Sequence, residues 1–316
     1  MKTSHIMFSE TNHEDSIARE LNWLLTVDPL WSSAPNHDCV PLEKICKGSV
    51  EEIAKNLSNE WTWYGAPKRL GRRFEGLLTA LLEQSDACKL LKHGLIVRHN
   101  RQTIGEIDYL IELPSSILHL EVAIKFYAGV SKPGGPDNTT SWIGPSCRER
   151  LDLKINHLLN HQLNICSTEF GQRTLRASGL PIPHSSLGLI YGYLIQPWRE
   201  LTKIPQKTMQ INRACWTTHS EALSAIRHLS RPYSSDYGWT LLERDQWIAP
   251  HFGDSRLPQV PKTIDAPLQA DCYALLPKQK AGEEKLRLFI MQDTFRQDAH
   301  LELSKCLGGS ADAQSI

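Results

Sequence analysis

The first part of the chain places apolar residues at helical spacing. They recur every three or four positions over residues 16–25 and predict a helix there. Ser49 and Glu52 have the spacing of a capping box, which predicts the start of a second helix over residues 49–57. We therefore expect residues 1–60 to form an N-terminal helical extension.

The strongest helical pattern follows Pro67. Phe74 and several leucines recur over residues 70–82 and predict a helix with one broad apolar stripe. Glu75 lies about 100° around the helix from Phe74, at the edge of this stripe. The pattern therefore places one carboxylate half inside the predicted core.

The pattern changes to alternation after residue 100. Residues 104–113 place Asp108 on one strand face, and residues 118–127 place Glu121 opposite a wholly apolar face. A shorter candidate strand precedes them over residues 94–99. The polar face of the 118–127 strand comprises His119, Glu121, Ala123, Lys125 and Tyr127.

The remaining core elements are less regular. Residues 129–146 are rich in glycine and proline and predict a long loop, either a substrate lid or a mobile connector. Residues 147–164 return to helical spacing, and residues 187–195 predict a buried strand. We therefore predict an α/β core over residues 61–200 and an α+β accessory region over residues 201–316. The elements predicted in that region are a helix over 221–229 and strands over 239–248, 272–276 and 286–291.

Composition excludes several classes of protein. The 316 residues are 41% hydrophobic and 22% charged, which is typical of a globular chain. The 35 basic residues balance the 35 acidic ones, so the chain is not polybasic, although a local basic patch is compatible with this balance. The sequence shows no secretion signal, no membrane-spanning apolar run and no C-x-x-C pair among its eight cysteines. We expect a reduced cytoplasmic protein.

Two carboxylates on neighbouring strands carry the candidate chemistry. If the strands pair antiparallel, Asp108 and Glu121 converge at one end of the sheet. Paired carboxylates attract a hard divalent cation such as Mg²⁺. Such an ion activates water and neutralises charge on a phosphoryl group. Lys125 shares the strand face of Glu121, and Glu75 is placed to support the site.

This order of motifs resembles the PD-(D/E)XK nuclease-like superfamily. The matching residues are Phe74-Glu75 in a helix, Gly105-Glu106-Ile107-Asp108 in one strand and Leu120 to Lys125 in the next, within a similarity that covers residues 65–200. More narrowly, Arg19 to Pro29 and Glu121 to Tyr127 resemble an uncharacterised bacterial family assigned to that superfamily.

The resemblance implies a restriction-endonuclease-like core, with helices flanking a mixed sheet, and cleavage of nucleic acid that depends on Mg²⁺ or Mn²⁺, with DNA favoured over RNA. It implies that Asp108, Glu121 and the Val122 carbonyl bind the metal and that Lys125 is the catalytic lysine. A polar residue of the following helix, either Lys154 or Gln162, completes the implied site.

The chain departs from the superfamily pattern at the lysine. Ala123 occupies the usual position, and Lys125 lies two residues further along the same face. Its Cα is therefore about 13 Å from that of Glu121 along the strand, rather than about 7 Å. Three hypotheses stay open: a nuclease with a displaced lysine, a non-catalytic nucleic-acid-binding or scaffold protein with a decayed site, and a protein-interaction module whose function lies in residues 200–316.

Other residues suggest contacts or exclude chemistries. Arg72 and Arg73, with Lys68 and Arg69, are candidate phosphate contacts, or else form a solvated helix turn. Trp61, Trp63 and Tyr64 are candidate base-stacking residues or core residues. We expect His119 to be a packing or hydrogen-bonding residue rather than a ligand. His157 and His161 lack the glutamate of a zinc hydrolase, and glycine-rich phosphate loops and a G-x-S-x-G motif are absent from the sequence.

Overall fold

A computed structural model describes most of the chain. The described residues are 10–34, 42–131, 140–201, 214–233, 235–252, 261–278 and 282–305. They group into two compact units, one of Met1–Ile124 with Leu159–Ile190 and one of Lys125–Leu158 with Tyr191–Ile316. The division of the sequence into residues 1–60, 61–200 and 201–316 stays a prediction.

Eight α-helices and ten strands lie within the described residues. The helices are α1 (Glu10–Thr26), α2 (Leu42–Ile45), α3 (Val50–Tyr64), α4 (Leu70–Glu83), α5 (Leu151–Asn160), α6 (Glu169–Ala177), α7 (Ala222–Ser230) and α8 (Phe295–Ser304). The strands are β1 (Trp31–Ser32), β2 (Lys89–His99), β3 (Gln102–Leu113), β4 (Ser116–Ser131), β5 (Thr140–Ile143), β6 (Ser185–Pro197), β7 (Ala214–Thr218), β8 (Tyr237–Leu242), β9 (Ala270–Pro277) and β10 (Leu286–Met291).

Helices α1, α3 and α4 form the helical part of the first unit. The α1 residues Ile17, Leu21 and Leu24 are fully buried, as their helical spacing predicts. Ser49 caps α3 by accepting a hydrogen bond from the Glu52 N–H at 3.3 Å, which confirms the predicted start of this helix. The predicted helix over residues 70–82 is likewise confirmed as α4.

A buried ion pair joins two of these helices. The Arg73 guanidinium of α4 donates to the Glu20 carboxylate of α1 at 2.9 and 3.0 Å from Nε and lies 2.8 Å from it through Nη2. The same guanidinium lies 4.6 Å from the centre of the Trp61 ring. Arg73 therefore belongs to the core between the helices.

Strands of the first unit hold the predicted carboxylates. The strand order there is β2-β3-β4-β6, with β1 on β6. Strands β2, β3 and β4 confirm the three predicted strands, and they pair antiparallel, which is the condition under which Asp108 and Glu121 were expected to converge. A 3-10 helix, Gln162–Ser167, packs on β3, and its Ile165 joins the core formed by Ile107 and Leu110. The polar face of β4 is therefore covered at His119 and Glu121, both fully buried.

The second unit contains a mixed sheet. Its strand order is β6-β7-β10-β9-β8, with β5 on β4; the first two pairings are parallel and the next two antiparallel. Helix α7 packs Ala225 and Ile226 against β7 and β10. The predicted α/β class, with a mixed sheet flanked by helices, is confirmed. No helix among the described residues has the length and apolar character needed to cross a bilayer.

Two predicted elements end earlier in the structure than the sequence predicts. The strand predicted over residues 239–248 stops at Leu242, because Glu243 and Gln246 form a capping box that begins a 3-10 turn. The helix predicted over residues 147–164 ends at Asn160, where the Asn164 side chain donates to the Leu159 carbonyl at 2.8 Å. Part of the predicted lid loop, residues 132–139, lies outside the described residues.

Gly192 allows β6 to approach β4 beside Lys125. It adopts φ +124°, and an added Cβ would lie 1.8 Å from the Lys125 carbonyl oxygen. Only glycine accommodates both this backbone conformation and this distance. The backbone position of Lys125 therefore depends on residue 192 being glycine, which has no side chain.

We predict that Gly192→Ala lowers the free energy of unfolding by about 3 kcal/mol, because the new methyl group forces the strands apart. Urea denaturation measures this change. The control is Gly71→Ala in α4, where an added Cβ meets open space, so stability should rise by up to about 1 kcal/mol. Equal stability of the two variants would contradict the predicted strand contact.

Candidate functional site

Asp108 and Glu121 meet where β3 and β4 separate. The two strands pair regularly up to Tyr109 and Leu120. At the next position the Asp108 N–H donates to Glu121 Oε1 at 3.2 Å, and the Val122 N–H donates to Asp108 Oδ2 at 3.3 Å. Each carboxylate therefore accepts from the backbone of the opposite strand. The two acidic side chains therefore lie together where the strands separate.

Glu121 is enclosed by hydrogen-bonding groups. Its Oε1 lies 2.8 Å from His119 Nε2, and its Oε2 accepts from Gln162 Nε2 at 2.6 Å. His119 Nδ1 in turn lies 3.1 Å from the Ser186 hydroxyl. Glu121 and His119 are both fully buried. The orientation of Glu121 is therefore fixed from two sides, by β4 itself and by the 3-10 helix.

Burial and repulsion make Asp108 a weak acid. Removal from water raises its pKa, and the neighbouring Glu121 carboxylate raises it further, to about 8. The Val122 N–H opposes this shift by stabilising the charged form. Within the described residues, neither Asp108 nor Glu121 forms an ion pair with a lysine or arginine. Asp108 therefore carries a proton in much of the neutral range when nothing else neutralises the pair.

Lys125 is engaged elsewhere. In the second unit its Nζ donates to both carboxylate oxygens of Glu149, at 2.9 and 2.8 Å. Its side chain is 26% exposed, so the pair lies at the edge of the interior. The resemblance implies a catalytic lysine at this residue, and that role stays a prediction.

The other candidate residues divide between the surface and the core. Glu75 is 45% exposed and lies 3.7 Å from Arg72, and it forms no hydrogen bond with Asp108 or Glu121. Arg73 is enclosed by Glu20 and Trp61, so its predicted contact with substrate gains no support from its position. Lys154 lies half-buried on α5. Of the two polar candidates that follow β4, the structure brings Gln162 to Glu121.

Sequence reasoning missed three hydrogen-bond partners of the candidate residues. The sequence predicts a packing or hydrogen-bonding role for His119, and the structure shows hydrogen bonding, but the bond to Glu121 was not predicted. The signal was present, because residues two apart on a strand share a face. Ser186 and Glu149 gave no such signal, since each reaches its partner from a distant part of the chain.

The donor set fits a hard divalent cation. Two carboxylates that repel each other and, among the described residues, pair with no lysine or arginine suit Mg²⁺ or Mn²⁺, which are bound in proteins by one or two carboxylates and retain several waters. Among the described residues, no group of three or more His, Cys, Asp and Glu side chains is arranged to hold a metal ion. Asp108 and Glu121 would therefore hold an ion that completes its shell with other oxygens.

We predict that the free energy of unfolding falls as pH rises, because Asp108 holds a proton in the folded protein. Because its pKa is raised on folding, the native state keeps a proton that the unfolded chain releases, so stability falls as pH rises from about 4 to about 8. The fall should be on the order of 2 kcal/mol, discounted because Asp108 is partly exposed. Urea denaturation with a chelator present measures it.

Asp108→Asn should remove this fall, because the amide does not titrate. The matched control is Glu112→Gln, which neutralises an exposed carboxylate on the same strand and should keep the wild-type profile. Parallel profiles for the wild type and Asp108→Asn would show that Asp108 is not the group responsible.

Comparison with known proteins gives a family without a described activity. No curated protein and no solved structure matches the chain. A family model described as a domain of unknown function, DUF1853, matches residues 19–291 and so includes β3, β4 and the 3-10 helix. This match spans most of the sequence, and the chain therefore belongs to the DUF1853 family.

Proposed function

We propose that this protein is a metal-dependent nuclease, a hydrolase of phosphodiester bonds in nucleic acid. The observation that carries the proposal is the meeting of Asp108 and Glu121 between β3 and β4, with no lysine or arginine paired to either among the described residues. Such a pair suits the binding of a divalent cation, and phosphodiester cleavage is a reaction that this cation assists.

The resemblance to the PD-(D/E)XK superfamily supports the same proposal. A helix with Glu75, a strand with Asp108 and a strand with Glu121 follow one another in the expected order as α4, β3 and β4. We therefore propose a restriction-endonuclease-like core and a nucleic-acid substrate, with DNA favoured over RNA. We also propose a cytoplasmic location, because the six cysteines that the structure describes are free thiols.

In this proposal, Asp108 and Glu121 hold Mg²⁺ or Mn²⁺, and the Val122 carbonyl is a further candidate ligand. When bound, the ion supplies Lewis acidity and an activated water. The protein contributes orientation, because His119 and Gln162 fix both oxygens of Glu121. Cation binding is also coupled to proton release, because Asp108 must lose its proton before its carboxylate binds a cation.

The ion pair between Lys125 and Glu149 favours a second candidate function. The Lys125 ammonium group is bound by both oxygens of Glu149, so it must leave that carboxylate before it assists at a water or phosphate. If it does not, the protein keeps the fold and binds nucleic acid, or serves as a scaffold, without cleaving. The two functions differ in whether the carboxylates bind a metal ion.

The proposed cleavage is tested on labelled single- and double-stranded DNA and RNA with Mg²⁺ or Mn²⁺. Asp108→Asn and Glu121→Gln should each lower the cleavage rate at least about a hundredfold, because each removes a metal ligand and its charge. The control is Glu112→Gln, which should cleave like the wild type. Equal activity of the wild type, Asp108→Asn and Glu121→Gln would contradict the proposal.

Calorimetry distinguishes the two candidate functions. A nuclease should bind Mn²⁺ or Mg²⁺ with an affinity that rises with pH, because the ion competes with the Asp108 proton. Asp108→Asn should lose this binding. If the wild type binds nucleic acid but neither ion, the non-catalytic function is correct.

A further inference from the structure

Two aromatic rings project from the end of α3 into solvent. Trp63 is 85% exposed and Tyr64 is 87% exposed, whereas Trp61, two residues before Trp63 in the same helix, is 6% exposed. Large aromatic side chains usually contribute to cores and interfaces, because each carries a large apolar surface. An adjacent pair left in water therefore calls for a partner that covers it.

The helix end that carries the two rings is anchored to the protein. Both belong to the last turn of α3, where Trp61 packs against Gly76 and the Arg73 guanidinium. Gly65 ends the helix with φ +85°, and its N–H bonds to the Trp61 carbonyl at 2.9 Å. Because consecutive helix residues point about 100° apart, the two rings form separate platforms rather than one stack.

Positive charge follows the rings directly. Lys68, Arg69 and Arg72 are exposed at the start of α4, and Arg72 is held only by a 3.7 Å contact with Glu75. Arg69 is the N-cap residue of this 14-residue helix, and no side chain caps the first N–H groups. These groups add to the positive potential at the helix start. Exposed cations thus outnumber the acidic residues Glu60 and Glu75 in this part of the first unit.

We propose that the surface formed by Trp63, Tyr64, Lys68, Arg69 and Arg72 binds single-stranded nucleic acid. The aromatic rings stack on unpaired bases, and the cations contact phosphates. A duplex hides its base faces, so the exposed rings select strands with free bases. This inference rests on the proposed function for the class of substrate and adds that the substrate is single-stranded.

A lipid surface is the main competing partner, because aromatic and basic residues also occur at membrane interfaces. A helix that lies on a membrane presents a continuous apolar face. Here α3 buries its apolar face, formed by Ile53, Leu57 and Trp61, within the protein. Two exposed rings followed in the sequence by three exposed cations suit the bases and phosphates of a nucleic-acid strand. They do not form the continuous apolar face that insertion into a bilayer surface requires.

Fluorescence anisotropy tests this inference with labelled oligonucleotides of about 20 residues, longer than one typical site. The probes are single-stranded oligothymidine, single-stranded oligouridine and a duplex, all with a chelator present so that cleavage does not interfere. Trp63→Ala with Tyr64→Ala should weaken single-strand binding at least about tenfold and leave duplex binding unchanged. Trp63→Phe with Tyr64→Phe should restore most of the affinity, since a phenyl ring still stacks.

The contribution of the cations to binding is measured separately, through the salt dependence of the affinity. Lys68→Gln with Arg69→Gln should reduce the slope of log affinity against log salt by about 0.7 for each charge removed. The control is Leu268→Ala, which removes an apolar side chain that is 93% exposed in the second unit and should change nothing. Because all these side chains are exposed, the melting temperature should stay the same and confirm that the variants fold.

The outcomes separate the inference from the nuclease proposal. Unchanged single-strand affinity in the alanine variant overturns the inference, even if the protein cleaves duplex DNA. Ring-dependent binding to vesicles of anionic phospholipid, without binding to oligonucleotides, also overturns it in favour of a membrane surface. Ring-dependent binding to single strands without any cleavage in Mg²⁺ or Mn²⁺ supports the inference and contradicts only the nuclease.

Discussion

The repulsion between the half-buried carboxylate of Asp108 and the fully buried carboxylate of Glu121 determines much of the chemistry in the first unit. Two negative charges in a site of low polarity cannot both persist without a proton, a hydrogen-bonded cation or a metal ion. The protein supplies hydrogen bonds from His119, Gln162 and two backbone N–H groups, but no lysine or arginine among the described residues. The proton on Asp108 and a bound divalent cation are therefore alternative solutions to one electrostatic problem.

The carboxylates also maintain the sheet. Where β3 and β4 separate, Asp108 and Glu121 accept the N–H groups that a regular ladder would bond to carbonyls. Backbone donors in the interior are costly when left without acceptors. The same oxygens thus have a structural and a chemical use, which is why amide replacements are preferable to alanine as probes of the chemistry.

Much of the fold followed from local patterns in the sequence. The alternation in residues 104–113 and 118–127 predicted β3 and β4 and placed Asp108 opposite Glu121. It did not predict that this face is buried, because the cover comes from Gln162 and Ile165, some forty residues further along the chain. Periodicity reports which side chains share a face, but not what packs on that face.

The same limit explains the other differences. Lys125 lies on the predicted face, but its partner Glu149 comes from another segment, and no spacing in the sequence joins them. Arg73 stands in a basic cluster, and only the distant Glu20 turns it into a core residue. Strand β7 and helices α6 and α8 were not predicted, because these short segments have stable conformations mainly through burial.

The isolation of Trp63 has an optical consequence. Of the nine tryptophans in the chain, it is the one whose indole is largely in water, while the others are buried or half-buried. A water-soluble quencher therefore acts mainly on this residue, whose emission is expected to lie to the red of the others. The intrinsic fluorescence of the unlabelled protein thus provides a local reporter on whatever covers the end of α3.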